Sequence, residues 1–167
     1  MHGDDDAADR VATTPYLVRR GGSRLTGAMV DIKATTGDTG GSVTVSEFAL
    51  GPWAAGPVQH LHESVDAALS VLAGRLDLQL GEQRLFVDPG DFVWMPRRVA
   101  HGFSCASDDG VRALALALPG GLEVLFREQA AYPASAGPAL DPSELDRIGR
   151  RHGARTLGPP VQPRRAS

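Results

Sequence analysis

The clearest periodicity in the chain is Leu76, Leu78 and Leu80, apolar at alternate positions with Asp77 and Gln79 between them. A period of two predicts a strand with one face in a core. Gly81 and Glu82 supply a two-residue hairpin turn with glycine first, and Leu85 and Val87 carry the return strand. Asp88, Pro89, Gly90 and Asp91 make the next turn, and Phe92 to Met95 a strand that Pro96 stops. His101 to Cys105 is a further strand, and residues 107–110 (SDDG) form a turn. Val111 to Leu118 then alternates alanine and leucine, so both faces are apolar, as in a strand buried between layers.

Upstream the pattern is weaker. Strands are predicted at Tyr16 to Arg19 and, after Gly21-Gly22, at Leu25 to Ala34, where Met29 and Ile32 are apolar without clean alternation. Residues 35–42 (TTGDTGGS) read as a turn, with Gly37, Gly40 and Gly41 free to take positive φ and Asp38 able to cap it. From Val43 to Leu50 the alternation Val43, Val45 changes phase to Phe48, Leu50; a slip of one residue there predicts a bulge. A Gly/Pro loop (51–58) leads into Gly56–Gly74, which ends in the apolar segment Leu69 to Leu72 before Gly74. Short strands with turns at this spacing give an all-β sandwich or barrel.

The last third changes period. Leu122, Leu125 and Phe126 share one helical face between Gly121 and Tyr132. Residues 133–140 (PASAGPAL) form a linker. Asp141 then caps a second helix, with Pro142 at its first position, Glu144 closing a capping box, and Leu140 and Leu145 spaced as a hydrophobic staple. Arg150, Arg151 and His152 suit the last turn of that helix, and Gly153 ends it, which accounts for His152 without chemistry. The chain therefore divides into a disordered acidic arm (1–14, with Asp4, Asp5 and Asp6), a β-barrel (15–120), a helical segment packing on the barrel (121–158) and a disordered tail (159–167).

Composition narrows the function. At 167 residues with 42% hydrophobic and 22% charged side chains, the chain can bury one core. A net charge of -3 favours neither nucleic acid nor a membrane surface as partner. No apolar run approaches the roughly 20 residues of a membrane span. The acidic N-terminus lacks the apolar stretch of a signal peptide, and the single Cys105 has no partner for a disulfide. A cytoplasmic location is expected.

The candidate chemistry lies in histidine. Of five, His60 and His62 are separated by one residue, and His101 follows a short turn in PRRVAHGF; His2 and His152 lie in the arm and at a helix end. On a strand His60 and His62 point the same way, so their neutral imidazoles can ligate one ion, with His101 as third ligand. Parity puts Leu69 and Val71 on the same face as Ala67, and Phe103 and Cys105 on that of His101. Trp53, in the loop before the first histidine, and Trp94 are candidate walls of a pocket, and Arg97 and Arg98 flank its mouth.

Two stretches, HLHESVDAALSVLAG and PGDFVWMPRRVAHGF, resemble in order the two sequence motifs of the cupin superfamily, a likeness spread over residues 34 to 130. ATTGDTGGSVTV, PGGLEVLFRE, the C-terminal helix and the closing LGPP are similar to small bacterial monocupins of the quercetin 2,3-dioxygenase-like group. The resemblance implies a cupin jelly-roll barrel, one divalent transition metal ion (Fe, Ni, Mn, Co, Cu or Zn), a small-molecule substrate and a homodimer. It also implies a glutamate ligand seven residues before the glycine that closes the first motif, where this chain has Ala67, and an asparagine where it has Cys105. Glu63 and Asp66 are the candidates for a replacement ligand or base, although strand parity turns Asp66 away from the histidines.

The expected function is then a metal-dependent, dioxygenase-like cupin oxidoreductase of specialised metabolism. Its substrate is a small aromatic or polyketide-like compound, held at a three-histidine site with open positions. The alternatives are a non-oxidative cyclase, isomerase or decarboxylase, favoured by Ala67, and a non-catalytic ligand-binding cupin. In quercetinase-like enzymes the glutamate serves as base as well as ligand.

Overall fold

The computed structural model describes residues 14–27, 30–136 and 141–165. Eleven strands form two antiparallel sheets among them. In chain order they are β1 (Leu25–Gly27), β2 (Val30–Ala34), β3 (Thr44–Leu50), β4 (Val58–His62), β5 (Asp66–Ala73) and β6 (Leu76–Leu80). β7 (Gln83–Val87), β8 (Phe92–Met95), β9 (His101–Cys105), β10 (Val111–Leu118) and β11 (Ala154–Pro160) complete the set. One sheet runs β1-β2-β3-β10-β5-β8 and the other β11-β4-β9-β6-β7. Apolar residues at every second position line the space between the sheets. Leu69, Leu76 and Leu78 are fully buried there, and the rings of Phe48 and Phe103 stack from opposite sheets with centroids 4.7 Å apart. The all-β fold expected from the alternation, and the jelly roll that the resemblance implied, are the fold observed.

The turn 106–110 joins β9 to β10, so Cys105 and Val111 lie at one end of the barrel. His101 therefore lies at the other end. The register there aligns Thr44, Ala117, Ala67 and Met95 in one row across the facing sheet. Two helices, α2 (Leu122–Ala136) and α3 (Pro142–Arg151), close this end. Leu122, Leu125 and Ile148 pack with Val65, Ala117 and Ala154 in a second apolar cluster.

Several expectations are corrected. Residues 15–19 form no strand; the Tyr16 hydroxyl instead donates to the Lys33 carbonyl at 3.0 Å. The span Leu25–Ala34 is two strands, β1 and β2, paired as a hairpin with Leu25 opposite Ile32. Met29 lies outside the described residues. The turn at 35–42 contains one helical turn, α1 (Thr36–Thr39), because Thr35 and Asp38 close a reciprocal capping box. β3 is regular. Its buried positions are Thr44, Ser46, Phe48 and Leu50, and the register slip falls in β2, between Ile32 and Ala34. Two polar residues hold buried positions in β3, and Thr44 does so by donating to the Glu123 carboxylate.

The linker expected at 133–140 begins later, since α2 continues to Ala136. Asp141 caps α3 by accepting from the Ser143 amide at 2.9 Å, but Glu144 closes no capping box; it pairs with Arg147. Leu140, and with it the staple, lies outside the described residues, as do 1–13 with the acidic arm and His2. The tail from Pro159 is not disordered over residues 159–165. β11 reaches Pro160 along β4, Val161 is buried against Gly102, and Arg164 binds the buried carboxylate of Asp77 through its amide at 2.9 Å and Nε at 3.1 Å. No described helix is long and apolar enough to cross a membrane.

Candidate metal centre

β4 carries His60 and His62 on one face, and β9 places His101 directly opposite His60. The three rings face one another with centroids 4.5 to 5.4 Å apart. One nitrogen from each lies within 4.8 Å of the others, close enough for small side-chain rotations to bring all three onto one ion. His62 and His101 are buried and His60 half-buried.

Two of the rings are oriented by the backbone. His60 Nδ1 lies 2.8 Å from the Val58 carbonyl oxygen, and His101 Nδ1 lies 3.0 Å from that of Val99. A carbonyl only accepts, so both rings carry their proton on Nδ1 and keep the Nε2 lone pair free, the arrangement in which imidazole binds metal. In each case the anchor is two residues earlier in the chain. His62 Nδ1 is buried with no hydrogen-bond partner. Leaving such an atom unsatisfied costs about 1–3 kcal/mol, so it asks for a ligand.

Burial lowers all three pKa values. It depresses His60 although the Val58 bond opposes it. It holds His62 at about 3, helped by His60 and His101, and His101 at about 4, helped by His60. The rings are neutral at neutral pH, as ligation requires. The donor set fits a divalent transition ion.

Neither candidate carboxylate joins them. Asp66 is on the outer face of β5, where it accepts from the Arg97 amide at 2.8 Å and from its Nη2 at 2.6 Å. Those bonds hold its carboxyl near 2, well below its ordinary range. Glu63 is exposed, with Arg155 at 3.8 Å. Among the described residues no Asp, Glu or Cys belongs to the histidine cluster. The turn between β8 and β9 is tied to the site by its backbone: Arg98, at φ 65°, donates its amide to the His62 carbonyl at 2.7 Å.

Of the expected walls, Ala67, Leu69, Val71 and Phe103 face the interior. Ala67 and Leu69 lie toward the histidine end, and Val71 and Cys105 toward the other. Cys105 is wholly buried, with its thiol 3.5 Å from Ser107. Both tryptophans are corrected. Trp94 is 47% exposed on the outer face of the edge strand β8. Trp53 is held at the far end, donating to Asp108 at 2.7 Å with the Arg165 guanidinium over its ring. His152 pairs with Glu128 at 2.6 Å and is not one of the clustered histidines.

Sequence reasoning missed Met95, Ala117 and the strand beside the ligands, β11, where Thr156 lies opposite His60 and Ala154 opposite His62. The alternation Ala113, Ala115, Ala117 carried a signal for the wall; β11 is masked by Gly158, Pro159 and Pro160.

A jelly-roll barrel with histidines of two adjacent strands converging inside one end defines the class. The cupin domain family matches residues 46–117, from β3 to β10, and with the topology this supports the cupin superfamily. The solved structure of KdgF from Halomonas sp. is similar, at 20% identity and a TM-score of 0.53, over 65% of this chain and 96% of that one. A sugar phosphate isomerase of the cupin superfamily from Silicibacter pomeroyi aligns at 24% identity and a TM-score of 0.45, over 57% and 67% of the two chains. At 20% identity the likeness to KdgF is one of fold. No curated protein matches the sequence.

Proposed function

We propose that the protein is a metal-dependent cupin enzyme acting on a small aromatic or polyketide-like compound, with His60, His62 and His101 holding one divalent transition ion. The observation that carries this reading is the pair of backbone bonds from Val58 and Val99, which present two Nε2 lone pairs to the point that His62 also faces. A bound ion would polarise a substrate oxygen and, if redox-active, open a route to dioxygen. The chain's own part is to keep three imidazoles neutral and aimed, and to face them with apolar side chains that exclude water. The dioxygenase-like reading, an oxidoreductase of specialised metabolism, is retained. A non-oxidative cyclase, isomerase or decarboxylase is favoured by one observation: among the described residues no carboxylate stands with the histidines to act as a base. A cytoplasmic homodimer completes the proposal; exposed Phe92 and Trp94 on the edge strand β8 support the dimer.

Reconstitution with each first-row ion, followed by elemental analysis, should give one ion per chain, and His101→Ala should weaken binding by about 100-fold or more. Substoichiometric metal with every ion would sink the reading. Turnover of enolic and phenolic aromatic substrates under strict anaerobiosis then separates the two chemistries.

A further inference from the structure

One row of the barrel interior carries a hydroxyl among apolar side chains. Paired across β2, β3, β10, β5 and β8, it reads Ile32, Ser46, Ala115, Leu69 and Val93, with Ser46 its single polar residue. Ser46 is 5% exposed and shares the inner face of β3 with Thr44 and Phe48. The other hydroxyl of that face is committed: Thr44 Oγ1 donates to the Glu123 carboxylate and accepts from the Gly121 amide at 2.9 Å. Glu123 in turn is held by neutral donors, the amides of Thr36 and Gly121 and the hydroxyls of Thr36 and Thr44. Among the described residues no hydrogen bond reaches Ser46 Oγ. The side-chain polar atoms sealed without a partner there are His62 Nδ1 and Ser104 Oγ. Ser46 Oγ is outside that set, so its residual exposure opens the hydroxyl to the barrel interior. A hydroxyl so placed has given up most of its water without gaining a partner, which favours a ligand that supplies one.

The stack of Phe48 on Phe103, with centroids 4.7 Å apart, fixes what Ser46 faces. One inner step from each ring toward the histidine end, about 6.7 Å along each strand, lie Ser46 and His101. A crossing angle of about 30° between packed sheets offsets the two by only about 3–4 Å, so the hydroxyl stands across the barrel from His101. At the Phe48 row the gap between the sheets holds two rings. At the Ser46 row it holds one imidazole and a hydroxymethyl group, which leaves the depth of a ring to a ligand. We infer that Ser46 is a specificity-determining residue: its hydroxyl pairs with a second oxygen of a small aromatic compound whose first oxygen lies at the histidines. Ortho oxygens both fall to one ion, and para oxygens point in opposite directions. Meta oxygens leave one for the hydroxyl, so the class selected is the meta-dioxygenated ring. The inference rests on the three-histidine metal reading.

The test uses the full chain loaded with Zn²⁺, resorcinol as probe and 3-methylphenol as its near-isostere without the second oxygen, with binding followed by calorimetry. Metal content is measured first: a chain that takes up no Zn²⁺ overturns the metal reading and this inference with it. In the loaded protein resorcinol should bind at least about fivefold more tightly than 3-methylphenol, the effect of one neutral hydrogen bond. Ser46→Ala should keep its Zn²⁺, hold its affinity for 3-methylphenol within about twofold, and lose the preference for resorcinol. Equal affinities for the two probes in the unsubstituted protein would overturn the inference while leaving the metal reading standing. So would a Ser46→Ala protein that holds Zn²⁺ and keeps the preference, or one that binds both probes more weakly by the same factor, the mark of a structural role alone. If Ser46→Ala does not fold, Ser46→Cys, whose thiol is close in size and a weak donor, takes its place with the same expected loss of preference.

Discussion

Gly74 ends the strand that begins beside the histidines, and its place admits no other residue without displacement. Its φ is 75°, and a Cβ there would lie 2.0 Å from the Gly110 carbonyl oxygen and 2.8 Å from Val111 Cα. Both neighbours are backbone, so neither can swing aside. Gly74→Ala should cost about 3 kcal/mol, or roughly 6–12 °C in Tm, by thermal unfolding; a shift under about 2 °C would show that the close approach is not enforced. Single residues of this kind are legible in sequence only as punctuation. The same holds for the histidines. Their spacing announced a shared face, and the structure brings them together for that reason. Their aim depends on the carbonyls of Val58 and Val99, which no side-chain pattern encodes. Asp66 was readable by parity alone, whereas its partner Arg97 comes from the turn after β8, a strand whose neighbour in the sheet is set by topology.

At the scale of the element, the segment after β11 behaves as a strap over the outer face of the β4-β9-β6-β7 sheet. It passes over Gly102, where a Cβ would come within 3.0 Å of Val161, and reaches Asp77, which is fully buried yet charged. Arg84 and Arg164 both grip that carboxylate, at 2.7 Å and 3.1 Å. Burial pushes the Asp77 carboxyl up, but the bonds from Arg84 and from the Arg164 amide and side chain outweigh it, and the group titrates below its ordinary 3.8. The unfolded chain takes up this proton first. The contribution of Asp77 is therefore complete above pH ~4 and lost as pH falls further, through its folded pKa. Asp77→Asn should cost about 2–3 kcal/mol at pH 7, the buried-pair value discounted because both guanidiniums keep contact with water. It should also flatten the acid limb of stability below pH 4, measured by urea unfolding at stepped pH; a limb as steep as in the unsubstituted protein would contradict the assignment. The sequence hid this strap for a physical reason. Gly158 and two prolines are poor strand formers, and β11 accommodates them by slipping register twice along β4. Alternation in β6 and β10 had no such interruption, and those strands were plain.

At the scale of the whole molecule, the edge strand β8 presents apolar side chains to solvent. β8 ends its sheet with Phe92 63% and Trp94 47% exposed, and Leu72 of the adjoining strand is 44% exposed. An apolar strip on an unpaired edge is what sheet proteins ordinarily cover. The proposed homodimer would cover it, so light scattering after size exclusion should return twice the 17.6 kDa of the chain, and the double substitution Phe92→Lys, Trp94→Lys should return 17.6 kDa. A chain that already elutes at 17.6 kDa would refute the dimer. Which strand lies at an edge is a property of the sheet order, and that order is not written in any local stretch; hence Trp94 looked inward from the sequence and stands outward in the fold.

β10 places Ala113, Ala115 and Ala117 inside the barrel and Leu114, Leu116 and Leu118 on the other face. The larger apolar side chains thus face away from the interior and the smallest face into it. For protein engineering this makes Ala115 and Ala117, with Ala67 beside them, a set of size controls. Each addition of a methyl or isopropyl group there would add bulk to the wall opposite the histidines without touching a ligand, and a graded series at these three positions would convert the choice of substrate into a question of shape.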